Sequence, residues 1–242
     1  MAVAFNSSAT GYTDVGAPDI YVLSYGFNNF GGNALCAILA TINLEYGGTP
    51  TATATYGGQP LTISFNRSSN GYYSGAFIGG YLLNAPTGLN TLTFTCPIPS
   101  DNLASAVMSF SGVRTSGTLN YSVGTSINYN DDASHTYTVN VASTTNDVVA
   151  GFAYMDPTGG YGSQPTGMNG TGINFFYLNI LGNYLNGSSP TTADTATGFF
   201  AVDGGAALNV AAWAFSPPGV TPPSTDLSNS LVGISLSSSM SI

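Results

Sequence analysis

Residues 51–65, TATATYGGQPLTISF, constrain the fold more than any other stretch of the chain. Gly57 and Gly58 separate a Thr/Ala run from Leu61, Ile63 and Phe65 at alternate positions. A two-residue hairpin loop needs positive φ at its central residues, which glycine adopts at little steric cost, so the pattern predicts a β-hairpin turning at Gly57 and Gly58. The alternation sends Leu61, Ile63 and Phe65 to one face and Thr62 and Ser64 to the other. Short strands with one apolar and one Ser/Thr/Asn face, punctuated by Gly, Pro and Asn, continue to the end of the chain. The predicted fold is all-β.

Residues 3–5 read as a short strand within an N-terminal segment, 1–18, and residues 19–27 as the first full strand. In residues 34–46 the even positions from Cys36 to Tyr46 are apolar and the odd ones fade to Asn43 and Glu45. That favours a central strand, with a helix as the competing reading. Residues 72–83 read as an aromatic-rich strand broken by Gly75, Gly79 and Gly80, and residues 89–96 as a strand with Leu92, Phe94 and Cys96 inward, ended by Pro97 and Pro99. Residues 104–113 place Ala106, Met108 and Phe110 on one face. Residues 134–141 and 147–155 are expected to pair with each other across 143–146. Residues 206–215, with Trp213, close a sandwich domain of residues 19–215. The rest, 216–242, is a stiff Pro-rich linker followed by a Ser-rich arm.

The succession TATATYGGQPLT, YLLNAPTGLNTLTFTC, LASAVMSFSGV, then residues 123–126 and TVNVASTTNDVVAGFA, resembles a β-sandwich domain of bacteriophage virion proteins and bacterial surface proteins. The resemblance runs over about residues 51–215 and is one of β punctuation. It implies an antiparallel β-sandwich, jelly-roll or Ig-like, in a structural or adhesive setting, and brings no catalytic motif.

Function is narrowed by elimination. Only 5% of the residues are charged, Lys is absent, Arg67 and Arg114 are the strong cations, and the net charge is −9. A phosphate backbone would be repelled and would find almost no cation to release its counterions, which argues against nucleic acid; anionic membranes are disfavoured likewise. The N-terminus lacks the basic and apolar regions of a signal peptide, and a complete, unprocessed product of a cytoplasm is expected. Cys36 and Cys96 read as buried thiols, with a disulfide as the alternative.

His135, near Asp131, Asp132 and Ser134, shares the parity of Tyr137, Val139 and Val141 and reads as a strand residue before a base. Asp101, Asp147, Asp156, Asp194 and Asp203 sit mostly at expected turns, where Asp closes the backbone. Asp131 and Asp132 with Asn128 and Asn130 offer hard oxygen ligands but lack a calcium-loop spacing. No enzyme, cofactor or metal is therefore expected.

The expectation is a capsid decoration, or cement, subunit of a phage virion, assembled in a host cytoplasm, whose partners are the major capsid protein and copies of itself. Contact candidates are Tyr161 and Met168 in the Gly/Pro loop of residues 156–172, Pro217 and Pro218 in the linker, and Leu231, Val232, Ile234, Leu236 and Met240 in the arm. Such an arm adds to a neighbour's sheet edge or closes its own sandwich. The alternative is an extracellular glycan- or receptor-binding module of a tail fibre or cell surface, in which Tyr72, Tyr73, Tyr161, Phe175, Phe176 and Tyr177 stack on sugars.

Overall fold

The computed structural model describes residues 2–13, 20–42, 51–70, 74–100, 102–126, 135–144, 147–156, 184–187, 191–192, 197–204 and 207–220. Among these residues every regular element is a strand.

The first half contributes β1 (Ala4–Thr13), β2 (Ile20–Asn29), β3 (Ala34–Ile42), β4 (Thr53–Tyr56), β5 (Gln59–Pro60), β6 (Thr62–Asn70), β7 (Ser74–Leu83), β8 (Gly88–Ser100) and β9 (Asn102–Ser111). They form two antiparallel sheets, a middle one of order β1-β9-β3-β7-β6 and an outer one of order β2-β8-β4-β5. The pairs are nested: β1 with β9, β2 with β8, β3 with β7 and β4 with β5. A long hairpin wrapped on itself in this way, with partners alternating between two sheets, has the connectivity of a jelly roll.

The second half contributes β10 (Asn120–Ser126), β11 (His135–Ala142), β12 (Val148–Asp156), β13 (Tyr184–Gly187), β14 (Thr191–Thr192), β15 (Thr197–Gly204) and β16 (Ala207–Phe215). A third sheet of order β10-β16-β12-β13 lies on the free face of the middle sheet, and β11 pairs with β15. The middle sheet is thus buried on both sides. Leu35, Ala37 and Leu39 of β3 join Leu23, Phe27, Leu92 and Phe94 in the core beneath the outer sheet. Cys36, Ile38 and Ala40 join Phe152, Trp213 and Phe215 in the core beneath the third. This double burial explains why β3 is apolar on both parities, and the strand reading of that segment holds over the helix.

Cys36 and Cys96 are both buried and free. They belong to different cores on opposite faces of the middle sheet, so the thiol reading holds.

Several local expectations are corrected. β1 runs the length of β9, from Ala4 opposite Ser111 to Thr13 opposite Leu103, so the N-terminal segment, expected to hold a short strand at 3–5 outside the sandwich, supplies a full sandwich strand. β7 is continuous through Gly79 and Gly80; a Cβ at Gly79 would lie 2.3 Å from the Phe65 ring and 2.8 Å from that of Trp213, so the glycine admits two aromatics where a break was expected. β8 continues past Pro97 and Pro99 to Ser100. β11 and β12 lie in different sheets. Between them the Asp147 carboxylate accepts from Thr144 N and Oγ1, both at 2.8 Å, as the turn role expected of that aspartate requires.

The hairpin of β4 and β5 forms as expected, with φ of +56° at Gly57 and +80° at Gly58. The alternation beyond it does not hold. The β6–β7 register slips between Ile63 and Phe65, a bulge that turns Leu61 and Ile63 into one core and Phe65 into the other.

Candidate functional site

With the middle sheet covered on both sides, the broad sheet face left exposed among the described side chains is the outward side of the outer sheet. Strand register arranges it in rows. Val22, Thr95 and Thr53 stand side by side, then Ser24, Thr93 and Thr55, then Gly26 and Thr91, then Asn28 and Leu89. Each row follows from alternation, because Leu23, Phe27, Leu92, Phe94, Ala54 and Tyr56 take the inward positions. Ser24 Oγ and Thr93 Oγ1 bond each other at 2.8 Å across two strands. No ionic side chain occurs in these rows.

The face changes character along its length. At the end away from Val22 lie Leu89, 74% exposed, and Phe30, 70% exposed and just past the end of β2. Exposed aromatics on loops are ordinary when the loop is loose; this loop is braced. Buried Asn29 donates Nδ2 to Gly32 O at 2.8 Å and Pro86 O at 3.0 Å, and its Oδ1 accepts from Gly32 N at 2.8 Å. Asn33 donates Nδ2 to Val113 O at 2.6 Å and accepts from Val113 N at 3.1 Å, and Asn6 Nδ2 donates to Phe30 O at 3.2 Å. Beneath, the single hydroxyl proton of Tyr56 is shared between Phe27 O at 3.0 Å and Gly88 O at 3.1 Å, linking the three strands that carry the face. Three asparagines and a tyrosine hold the backbone around Phe30, so the ring is presented from a fixed base.

Of the contact residues expected from sequence, Pro217 is half-buried and Pro218 exposed. They stand in a turn with Gly219 at φ +84°, where Val220 N donates to Pro217 O at 3.4 Å. The turn is pinned to the sandwich through Ser216 O, which accepts from Arg114 N at 2.9 Å, so the linker starts as a fixed corner before any extended run. Tyr161, Met168, Leu231, Val232, Ile234, Leu236 and Met240 lie outside the described residues, as do the sugar-stacking candidates Tyr72, Tyr73, Phe175, Phe176 and Tyr177 and the oxygen cluster at Asn128, Asn130, Asp131 and Asp132. The His135 backbone lies in β11 opposite Gly204. Among the described residues no three His, Cys, Asp or Glu side chains gather as a metal-holding group.

Sequence reasoning missed the outward face, although its signal is there: Thr53 and Thr55, then Thr91, Thr93 and Thr95, occupy alternate positions of two strands. Phe30 gave no signal, being one Phe between Asn and a Gly pair.

Comparison with family models, with curated proteins and with solved structures returned no match for the chain.

Proposed function

We propose that the protein is a non-enzymatic structural subunit of a phage virion, a decoration subunit that binds the major capsid protein and copies of itself. The observation that carries the reading is a jelly-roll core extended by a third sheet in a chain with 5% charged residues. Jelly rolls recur in capsid and lectin domains, and fold alone assigns no function, so the weight rests on the side chains. One His and two strong cations leave few partners with which to tune an acid or base among the eleven Asp and Glu, and uncharged side chains cost less to desolvate against a neighbour than charged ones do. Weak contacts repeated over many identical copies add up to a stable shell.

The arm, residues 224–242, follows the pinned turn at Pro217 and Pro218 and is the segment proposed to reach a neighbour. Deleting residues 224–242 should lower occupancy on purified particles by about tenfold or more. The truncated subunit should keep the thermal midpoint of the full chain. Full occupancy of the truncated subunit would remove the arm from the reading, and failure of the chain to co-purify with particles would remove the reading itself.

A further inference from the structure

We propose that the outward face of the β2-β8-β4 sheet is a binding surface for neutral glycans, with Phe30 as the ring on which a sugar stacks. The inference goes beyond the structural role, since it concerns what a mounted subunit touches on its free side.

Charge selects the partner first. The face has no ionic side chain on a molecule of net charge −9, so acidic polymers are repelled and cationic ones find no carboxylate there to pair with. A neutral partner remains. Size selects next. Eight residues of strand by two strand spacings give a face of about 26 by 10 Å, roughly 260 Å² in projection, small beside the ~800 Å² of accessible surface that each partner of a stable protein interface buries. A second copy or a folded protein docked on this face alone would be under-buried, whereas an extended chain of sugar rings would lie along it.

Chemistry agrees with both. Thr and Ser hydroxyls each donate and accept, as sugar hydroxyls do, and they stand here in a register fixed by backbone pairing. A pyranose also has an apolar C–H face that packs on the negative face of an aromatic ring. Phe30 supplies that ring just past the end of β2, at the end of the hydroxyl rows where Leu89 also stands, on a backbone held by Asn6, Asn29 and Asn33. Because the loop is already ordered, a ligand need not order it on binding. The third sheet packs on the opposite face of the middle sheet and leaves this face uncovered.

The test is native affinity electrophoresis of the full chain in gels containing dextran, mannan, galactan or hydroxyethyl cellulose, with alginate as the acidic contrast. The expected result is concentration-dependent retardation by at least one neutral polymer and none by alginate. Phe30→Ala should weaken it by about tenfold, and Thr53→Val with Thr95→Val by a smaller factor, with thermal midpoints unchanged because these side chains are exposed. No retardation by any neutral polymer, or retardation indifferent to Phe30→Ala, overturns the proposal. So does sedimentation showing a dimer that Phe30→Ala abolishes, which would assign the face to a second copy. Particle occupancy separates this idea from the structural role: Phe30→Ala should leave occupancy intact, and its loss would mean that the face docks on the shell.

Discussion

Cys36 shows how far a residue's chemistry is set by its layer. It is fully buried among Ile38, Met108 and their neighbours, and burial holds its thiol pKa well above the ordinary 9.0. Burial acts in the same direction on Tyr25, whose ordinary value is 10.0 and whose hydroxyl bonds Ser105 Oγ at 3.0 Å. In both cases the folded state keeps a proton that the unfolded state gives up, so the unfolded chain binds fewer protons above those ordinary values and stability falls as pH rises. The stabilisation is fully present below about pH 9 and is lost progressively above it. Urea midpoints should therefore hold level up to that point, fall beyond it, and fall more steeply above about pH 10 as Tyr25 joins. Cys36→Ala should lower the plateau through the lost packing and make the fall between about pH 9 and pH 10 shallower. A slope unchanged in that variant would show that the Cys36 thiol does not contribute there.

At the scale of elements, β6 shows what the sequence says and where it stops. The hairpin before it was legible because two glycines at positive φ are a local requirement, met at Gly57 and Gly58. The bulge at Ser64 was not, because what it serves is 149 residues away: Trp213 Nε1 donates to Ser64 Oγ at 3.0 Å, and the Trp213 and Phe65 rings lie 5.5 Å apart. Inward-facing strands such as β8 and β9 followed from alternation, since each has an apolar parity. The pairing of β11 with β15 in place of β12 could not follow, because chain proximity favours the short connection and packing chose otherwise. The site divides in the same way: alternate Thr residues are visible in the sequence, while the brace around Phe30 depends on partners far off in the chain, Pro86 for Asn29, Val113 for Asn33, and Asn6 for Phe30 itself. The bulge gives a direct check. Ser64→Ala leaves the indole N–H of Trp213 without its partner and should cost ~1–3 kcal/mol in denaturant unfolding, with Trp213 fluorescence perturbed in the folded state. Ser64→Thr keeps the hydroxyl and should recover most of the loss.

At the scale of the whole molecule, the question is whether the jelly roll is a unit to which the later strands were added or half of a single cooperative body. Its nested pairs close within residues 2–113, which argues for a unit. Its middle sheet argues the other way, because Ile38, Phe77, Met108 and Phe110 point out of the jelly roll and are fully or almost fully buried by Phe152, Trp213 and Phe215. The stacking of Phe110 on Phe215, centroids 4.2 Å apart, joins the two halves in the same core, and Arg114 ties the connection to Ser216. An exposed aromatic and aliphatic sheet face of this kind exceeds what soluble monomers tolerate. A fragment of residues 1–113 should therefore aggregate or associate, read by size-exclusion chromatography, even though it contains every jelly-roll strand. In the intact chain Trp213 sits in the shared core, so its fluorescence reports separation of the third sheet while far-UV circular dichroism reports all strands together. The two should trace one superimposable urea transition. A fluorescence change well before the loss of strand signal, with a soluble monomeric fragment to match, would show instead that the jelly roll stands alone and that the third sheet is a removable cover.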